Sequence, residues 1–380
     1  MEEVIYLKTV TKMNNVKWRE FDFIEIFDIY GGFYNKKPKQ ELDGDIPFIG
    51  ATDSNNGITE FYTYKNIVKS SKTGNGKNDE INKKLFEGNC ICVTNNGSVG
   101  YAYYQPIKFT CSHDVNPLYL KNFTLNKNLA LFLISAIEKQ RVCFEYSRKW
   151  RPKRMIKSKI MLPIDEKGNP DYVYMTNYIS DIVRKELDTY EKYCLKELNL
   201  LSYKPIEALN EKKWKSFLLI SDELFKIEEV YTLKSTSITN NFDEYDVVGA
   251  TSKNNGNVGF LGEKYYSLIN SGNCICLIKT GEGSVGEAVY KSNNFIASNN
   301  ISVIRCSNLN KYNGLFITNQ INKQASRYSY GYIRNNERIK MEKIMLPVNE
   351  CDEPDFSYME QYVKNEMIIL YKTFLELIKI

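Results

Sequence analysis

The sequence has a single histidine, His113, among its 380 residues. One imidazole excludes a histidine-rich metal site and leaves no second copy of a histidine-based triad, since the repeat described below has Asn299 at the matching place. The chain also lacks a run of about 18 apolar residues, so we expect no membrane span. Residues 1–13 lack the apolar core of a secretory signal. We therefore expect a cytoplasmic protein.

The excess of positive charge is small. Lysine and arginine number 51 against 46 acidic residues, which gives a net charge of +5. This balance permits nucleic-acid binding without establishing it, so only the local placement of charge can argue for function. Nine cysteines are an odd number in a large chain without a secretory signal, which indicates reduced thiols.

One ordered set of short motifs occurs twice. The Leu-Pro pairs end at Pro163 and Pro347, and these residues are 184 positions apart, as are Met175 and Met359. A repeat this long indicates a duplicated domain rather than a solenoid unit. Two similar domains suggest a target with two similar but non-identical parts. The paired motifs are Lys17-Trp18 and Lys213-Trp214, Ile49-Gly50-Ala51-Thr52 and Val248-Gly249-Ala250-Thr251, Asn55-Asn56-Gly57 and Asn254-Asn255-Gly256, Gly97-Ser98-Val99-Gly100 and Gly283-Ser284-Val285-Gly286.

Each copy predicts a mixed α/β (α+β) globule followed by a long helix. We expect globules at residues 1–168 and 205–352, with helices at 169–204 and 353–380. Short β-type runs at 46–49, 90–93 and 115–120 lie between Gly/Asn turns. Shorter helices are predicted at 127–140 and 315–323. The polar segment 65–84 has no close counterpart in copy two and predicts an exposed loop.

Each long helix has one apolar stripe, with apolar residues every three or four positions. We expect the two helices to pack antiparallel along these stripes, which would relate the globules by a pseudo-twofold axis. The alternative is that each helix packs only on its own globule. The stripes are Met175, Ile179, Val183, Leu187 and Tyr190 in the first helix and Met359, Val363, Met367, Leu370 and Phe374 in the second.

These motifs, in this order and repeated, resemble the DNA-specificity subunit of type I restriction–modification systems and its type IIB relatives. The resemblance covers nearly the whole chain. It implies that each globule is a target-recognition domain reading one half of a split double-stranded DNA sequence. It also implies that the helices fix the spacing and dock methyltransferase (modification) subunits, which bring S-adenosylmethionine, beside a restriction subunit or fused nuclease. The chain itself would be non-catalytic and need no cofactor.

The segment before each Leu-Pro pair is the strongest candidate for DNA contact. Arginine and lysine neutralise phosphates, arginine reads guanine, and aromatic rings stack on bases. Both copies carry such residues at the same place although their sequences differ. The alternative is a solvated basic turn. The predicted contacts are Arg148, Lys149, Trp150, Arg151, Lys153 and Arg154 in copy one and Tyr328, Tyr330, Tyr332, Arg334 and Arg338 in copy two.

Further polar residues are candidates with an equally simple structural explanation. Asn-Asn-Gly is first a turn signal, although asparagine also reads adenine. Lys72 and Lys77 lie in the polar segment and are either phosphate contacts or plainly solvated. The asparagine candidates are Asn55, Asn56, Asn254 and Asn255.

Several catalytic-looking motifs are better explained as structure. Gly281-x-Gly283-x-x-Gly286 lacks a following helix pattern, so a tight turn is favoured over a dinucleotide site. The pair Pro170-Asp171 resembles part of a methyltransferase motif but more simply starts a helix. The Cys-x-Cys pairs at 90–92 and 274–276 lie in apolar runs and favour core packing over zinc.

Two other functions remain open from the sequence. The chain could be a protein-interaction scaffold without DNA contact, or a stand-alone enzyme acting on nucleic acid. The second needs a catalytic site that the motifs do not supply.

Overall fold

The structure is a computed structural model that describes residues 16–39, 44–76, 79–144, 148–222, 224–233, 245–281, 283–329 and 331–379. It divides into two compact units, residues 1–188 and 189–380. Each unit holds one copy of the repeat as a mixed α/β domain, which confirms the predicted fold class.

Unit 1 is built from nine strands and six helices among the residues that the structure describes. The strands are β1 (Trp18–Asp22), β2 (Phe27–Ile29), β3 (Ile46–Ile49), β4 (Ile58–Tyr62), β5 (Cys90–Thr94), β6 (Ala102–Gln105), β7 (Thr110–Cys111), β8 (Val115–Leu120) and β9 (Lys159–Pro163). The helices are α1 (Phe23–Ile26), α2 (Tyr64–Lys69), α3 (Ile81–Lys84), α4 (Lys127–Glu138), α5 (Pro152–Met155) and α6 (Tyr172–Leu200), the last of which continues into unit 2.

Unit 2, after helix α6, has eleven strands and three further helices among the residues that the structure describes. Its strands are β10 (Trp214–Leu218), β11 (Lys226–Glu228), β12 (Thr232–Leu233), β13 (Tyr245–Val248), β14 (Asn257–Leu261), β15 (Ile269–Asn270), β16 (Cys274–Ile278), β17 (Ala288–Lys291), β18 (Phe295–Ser298), β19 (Ile301–Arg305) and β20 (Lys343–Pro347). Its helices are α7 (Lys311–Asn322), α8 (Asn336–Met341) and α9 (Phe356–Leu377).

The sheets of the two units correspond strand for strand. A four-stranded sheet has the order β2-β8-β5-β6 in unit 1 and β11-β19-β16-β17 in unit 2. A smaller sheet has the order β4-β3-β7, matched by β14-β13-β18, which β12 and β15 extend. The opening Trp strand pairs antiparallel with the Leu-Pro strand in both copies, Trp18 opposite Pro163 and Trp214 opposite Pro347.

The central strand of each larger sheet is buried on both faces because its side chains alternate between two cores. In β5, Ile91 and Val93 join the core that contains helix α4, whereas Cys90 and Cys92 join the core against the smaller sheet. Cys274 and Cys276 in β16 are likewise fully buried. The prediction that the Cys-x-Cys pairs pack in a core is confirmed.

The prediction of an exposed loop at 65–84 is confirmed for residues 72–76 and wrong for the rest of the described segment. The segment contains helices α2 and α3, and Ile67 and Lys84 are fully buried. The ammonium of Lys84 donates to the carbonyl oxygens of Ile67, Val68 and Ser70 at 3.1, 2.9 and 2.6 Å. The polar sequence led to the wrong prediction because a lysine is usually exposed, whereas a lysine whose ammonium has three carbonyl acceptors can be buried.

Both long helices start at the Pro-Asp pairs, as predicted. Oδ1 of Asp171 accepts from the Tyr174 amide at 2.8 Å, and Oδ1 of Asp355 accepts from the Tyr358 amide at 2.9 Å. These carboxylates satisfy amide groups that the first helical turn leaves without a partner.

The stripe of α9 divides between two partners within unit 2. Met359 and Val363 belong to the core of the globule. Further along, Met367 and Phe374 pack against the end of α6 and the residue after it, Leu201. The segments run antiparallel there, since Tyr190 meets Phe374 and Tyr193 meets Tyr371. Antiparallel helix packing is therefore confirmed for this stretch.

The first part of the α6 stripe packs on unit 1 only at its start. Met175 is fully buried in that core and Ile179 packs against it. Val183, Leu187 and Leu370 are 39%, 40% and 65% exposed. None of the three belongs to a hydrophobic cluster of the described residues, and their role in helix packing stays a prediction.

Candidate nucleic-acid interface

Three loops converge at one place on unit 1. Gly97 of the Gly-Ser-Val-Gly turn packs against Ala51 of the Ile-Gly-Ala-Thr loop. The Tyr103 hydroxyl donates to the carbonyl of Thr52 at 2.8 Å. The Trp150 amide donates to the carbonyl of Asn95 at 3.2 Å, which brings the basic segment to the same turn.

The matching loops converge in the same way on unit 2. Gly281 packs against Ala250, and the Ser252 amide donates to Oγ of Ser284 at 3.3 Å. The Arg334 amide donates to the carbonyl of Lys279 at 3.0 Å. The duplicated motifs thus build the same loop cluster twice, and the basic segment is part of each.

The Asn-Asn-Gly motifs form tight left-handed turns. Backbone φ is 51° at both Asn55 and Asn56, and 50° and 52° at Asn254 and Asn255, a region that asparagine tolerates better than most residues. Nδ2 of Asn56 donates to the Tyr104 carbonyl at 3.0 Å, and Nδ2 of Asn255 to the Tyr290 carbonyl at 3.1 Å. The prediction of turn formers is confirmed.

In copy one, the basic segment presents a short helix whose cations are mostly exposed. Arg148, Arg151, Lys153 and Arg154 are exposed, and Lys149 is half-buried. Pro152 opens helix α5 as its first residue, which fits the fixed φ of proline. A shallow cleft of about 670 Å³ is lined by Lys149, Arg151, Pro152, Lys153 and Arg154.

One arginine is held identically in both copies. The Arg154 guanidinium donates to the carbonyl of Lys149 at 2.9 Å, and the Arg338 guanidinium donates to that of Ile333. Arg338 also lies over the Tyr332 ring at 3.7 Å, a cation–π distance. These contacts orient the guanidinium groups of Arg154 and Arg338 within the basic segments.

Trp150 must be removed from the predicted DNA contacts. It is fully buried, with its ring 5.5 Å from that of Phe23 and stacked on Phe144 at 4.5 Å. Nε1 donates to Oγ of Ser158 at 2.9 Å, so its polar atom is satisfied inside the domain. Trp150 anchors the basic segment to the core rather than reading a base.

Arg334 needs the same correction. Its side chain is fully buried, and Nε and Nη2 donate to the two oxygens of Glu342 at 2.9 and 2.6 Å. Nη1 donates to the carbonyl of Gly286 at 3.0 Å. A guanidinium whose donors are occupied in this way holds the segment in place and has no surface left for a phosphate.

Tyrosines line the cluster on unit 2. Tyr328 and Tyr332 stack with ring centroids 6.1 Å apart at the edge of a cleft of about 690 Å³. Burial, with a smaller effect of the Glu342 carboxylate, raises the pKa of Tyr328 to about 12. Its hydroxyl therefore stays protonated and donates to Glu342 at 3.1 Å. Tyr332 is 49% exposed and also lines the cleft.

The sequence did not single out Arg141 and Arg327, which lie beside the clusters. Arg141 stacks on the Tyr101 ring at 3.6 Å and packs so closely on Gly100 that a side chain there would approach it to 2.5 Å. Arg327 lines the cleft of unit 2. Arg141 lies in the short 3₁₀ turn after helix α4, and Arg327 lies in the one after helix α7. Their position just after a predicted helix is the one sequence signal that could have pointed to these two arginines.

The remaining predicted contacts differ in position. Lys72 is exposed, and its carbonyl accepts from the amides of Asn35 and Lys36 at 3.0 and 3.2 Å, away from the basic segment. Lys77 and Tyr330 lie outside the described residues.

Within the described part of the chain, no group of three or more His, Cys, Asp or Glu side chains could hold a metal ion. None of the described helices is long and apolar enough to cross a bilayer.

Comparison with known proteins identifies the family. A model of the type I restriction modification DNA specificity domain matches residues 15–192 and, a second time, residues 211–378. The chain belongs to the type I restriction–modification DNA specificity family. The two matches coincide with the two copies of the repeat, so each unit of this specificity chain is one such domain.

Known relatives of the specificity chain are similar over different extents. The specificity subunit of a type II restriction enzyme from Heyndrickxia coagulans, S.BcgI, is 38% identical over 173 residues. That alignment covers 46% of each protein, so it spans about half the length of this relative. A type I S subunit crystal structure from M. genitalium is 16% identical with a TM-score of 0.47, covering 97% of this chain and 93% of that one. The HsdS subunit from Thermoanaerobacter tengcongensis is 10% identical, with a TM-score of 0.29 and coverage of 94% and 95%.

Proposed function

We propose that the specificity chain reads a bipartite double-stranded DNA target, one domain per half-site, and directs adenine methylation and cleavage by partner subunits in the cytoplasm. The observation that carries this is the duplicated loop cluster, with Arg154 and Arg338 held identically. Around these two arginines the exposed side chains differ, Arg148 against Tyr332 and Lys153 against Glu337. An arginine held in the same way in both domains, with different exposed neighbours in each, suits two half-sites of different sequence.

The exposed apolar residues of the long helices support partner docking. Val183 and Leu187, one turn apart on helix α6, are large apolar side chains at the surface, as is Leu370 on helix α9. Neighbouring apolar side chains on an exposed helix face mark interaction surfaces. In this proposal the partners are methyltransferase subunits, which carry S-adenosylmethionine, and a restriction subunit or fused nuclease.

The test is co-expression with the methyltransferase encoded beside the chain, followed by mapping of modified adenines in host DNA. A split motif with a fixed gap, absent when the chain is omitted, supports the proposal and names both half-sites. Arg154→Ala and Arg338→Ala should each reduce methylation at that motif. Lys192→Ala, an exposed change on helix α6, is the control and should leave methylation intact.

A negative result has a defined meaning. If the methyltransferase is active and bound to the chain but methylation does not depend on the chain, the DNA-reading role is excluded. The protein-interaction scaffold would then be the better hypothesis.

A further inference from the structure

A second cationic cleft lies on unit 1, apart from the basic segment. Residues 36–39 form one wall and residues 66–75 the other, around a volume of about 210 Å³. The amides of Asn35 and Lys36 donate to the carbonyl of Lys72 and join the walls. Gly74, with φ of 87°, lies so near the Lys36 side chain that a Cβ would approach it to 2.9 Å.

Among the described residues, the side chains that line this cleft carry an excess of positive charge. Lys36, Lys39 and Lys69 line it and are exposed, and among the described residues no carboxylate lies within ion-pairing distance of them. Lys37 differs, because its ammonium pairs with Glu60 at 2.8 Å. Three like charges around one cleft repel each other, so their grouping favours an anionic ligand.

The interior of the segment is arranged to suit an anion. Carbonyl oxygens at the end of helix α2 would repel a phosphate, but those of Ile67, Val68 and Ser70 accept hydrogen bonds from the buried Lys84 ammonium. Lys84 is fully buried, and the carboxylate of Asp79 offsets part of its positive charge. Ser71, which lines the cleft, is held by the Gly76 amide at 3.1 Å from its Oγ.

A short series of backbone contacts connects the cleft to the DNA-reading loops. The His113 amide donates to the Tyr34 carbonyl at 2.9 Å, two residues from Lys36. The Asn95 amide donates to the Asp114 carbonyl at 2.8 Å, and the Trp150 amide to the Asn95 carbonyl at 3.2 Å. Hydrogen-bonded loops therefore connect the cleft to the basic segment.

In the part of the chain that the structure describes, the first copy alone has α-helices between these strands. The connection from β4 to β5 runs from Tyr62 to Cys90, whereas that from β14 to β16 runs from Leu261 to Cys274. The extra length supplies α2 and α3, and with them Lys69 and Lys84. A cleft built on this extra length gives the two domains unequal contact with a common ligand.

We infer that this lysine cleft binds the phosphodiester backbone of DNA beside the half-site read by the first domain. The inference rests on the proposed function, since it needs the basic segment on DNA. Its cations contact phosphates and carry no sequence information, so they lengthen the footprint on one side only.

The experiment measures affinity of the complex with its methyltransferase for a duplex carrying the mapped motif, over about 50 to 200 mM salt. The variant K36Q/K39Q/K69Q should lower the slope of log affinity against log salt by about 0.9 for each phosphate that the protein no longer neutralises. K36R/K39R/K69R keeps the charge and should keep the slope. K127Q/K167Q/K192Q removes three exposed lysines elsewhere and should also keep it.

Trimming the duplex separates the cleft from the reading loops. Shortening one flank should lower the wild-type slope to that of the Gln variant, and shortening the other flank should not. A Gln variant with the wild-type slope on the long duplex overturns the inference while leaving the proposed function intact. A wild-type complex without preference for the motif over scrambled DNA overturns both.

Discussion

The buried guanidinium of Arg334 is paired in a bidentate manner with the carboxylate of Glu342, at 2.9 and 2.6 Å. The first domain holds Trp150 and Ser158 at the same two places, each 184 residues earlier, joined by a hydrogen bond of 2.9 Å. One structural connection, between the basic segment and the residue just before the next strand, is thus made by an ion pair in one copy and by a neutral pair in the other.

Breaking this ion pair should destabilise the second domain. Arg334→Ala or Glu342→Ala leaves one buried charge without its partner, which costs about 3–5 kcal/mol. Replacing both residues by their counterparts, R334W/E342S, leaves no buried charge and should cost less than either single substitution, Arg334→Trp or Glu342→Ser. Urea unfolding of these variants measures this coupling.

The exposed pair Glu337–Lys340, 3.3 Å apart, is the control for that experiment. Its double alanine variant should show no measurable coupling, because solvent screens both charges. Additive effects at Arg334 and Glu342 would contradict the prediction.

Trp150 and Arg151 are neighbours that should give opposite results. Trp150→Ala removes a fully buried ring and should lower the free energy of unfolding by about 3–5 kcal/mol. Arg151→Ala changes an exposed side chain and should alter stability by less than about 0.5 kcal/mol while weakening DNA binding. Thermal unfolding and a DNA-binding titration on the same samples test both. Equal destabilisation by Trp150→Ala and Arg151→Ala would refute the prediction that Trp150 is structural and Arg151 contacts DNA.

Substitutions at Ile368 and Leu370 distinguish the residues of helix α9 that stabilise the fold from those that bind a partner. Ile368 is 5% exposed and packs with Cys194 and Tyr371, so Ile368→Ala should destabilise unit 2 by about 2–5 kcal/mol. Leu370 is 65% exposed, and Leu370→Ala should leave stability unchanged but weaken co-purification with the methyltransferase. Loss of stability in the Leu370 variant would show that the exposed part of the stripe is structural.

Thiol reactivity should follow burial. Cys143 and Cys351 are exposed, and Cys306 is partly exposed. Burial raises the pKa of Cys92, Cys111 and Cys276. A raised pKa keeps these thiols protonated at neutral pH, so they should not react with an alkylating agent before the domain unfolds.

Mass spectrometry after a short alkylation near neutral pH checks this order. Cys143 and Cys351 should be labelled first, and the C143S/C351S variant should lose the fast phase. Rapid labelling of Cys92 or Cys276 in the folded protein would contradict their place in the core.

Much of the fold could be predicted from local signals. The strand at 115–120, the Asn-Asn-Gly turns and the Pro-Asp helix starts follow from backbone preferences within a few residues, and the structure has each of them. The repeat itself was visible as equal spacing between motifs. A duplicated domain and its family resemblance therefore needed no tertiary contacts.

The sequence determined that a basic segment stands before each Leu-Pro strand, but only the tertiary structure decided which of its residues face solvent. Trp150 is buried because Phe23, far away in the chain, packs on its ring. Arg334 is buried because Glu342 and the Gly286 carbonyl occupy its donors. Burial of a cation or an indole depends on partners that folding brings together, and residue type alone does not report those partners.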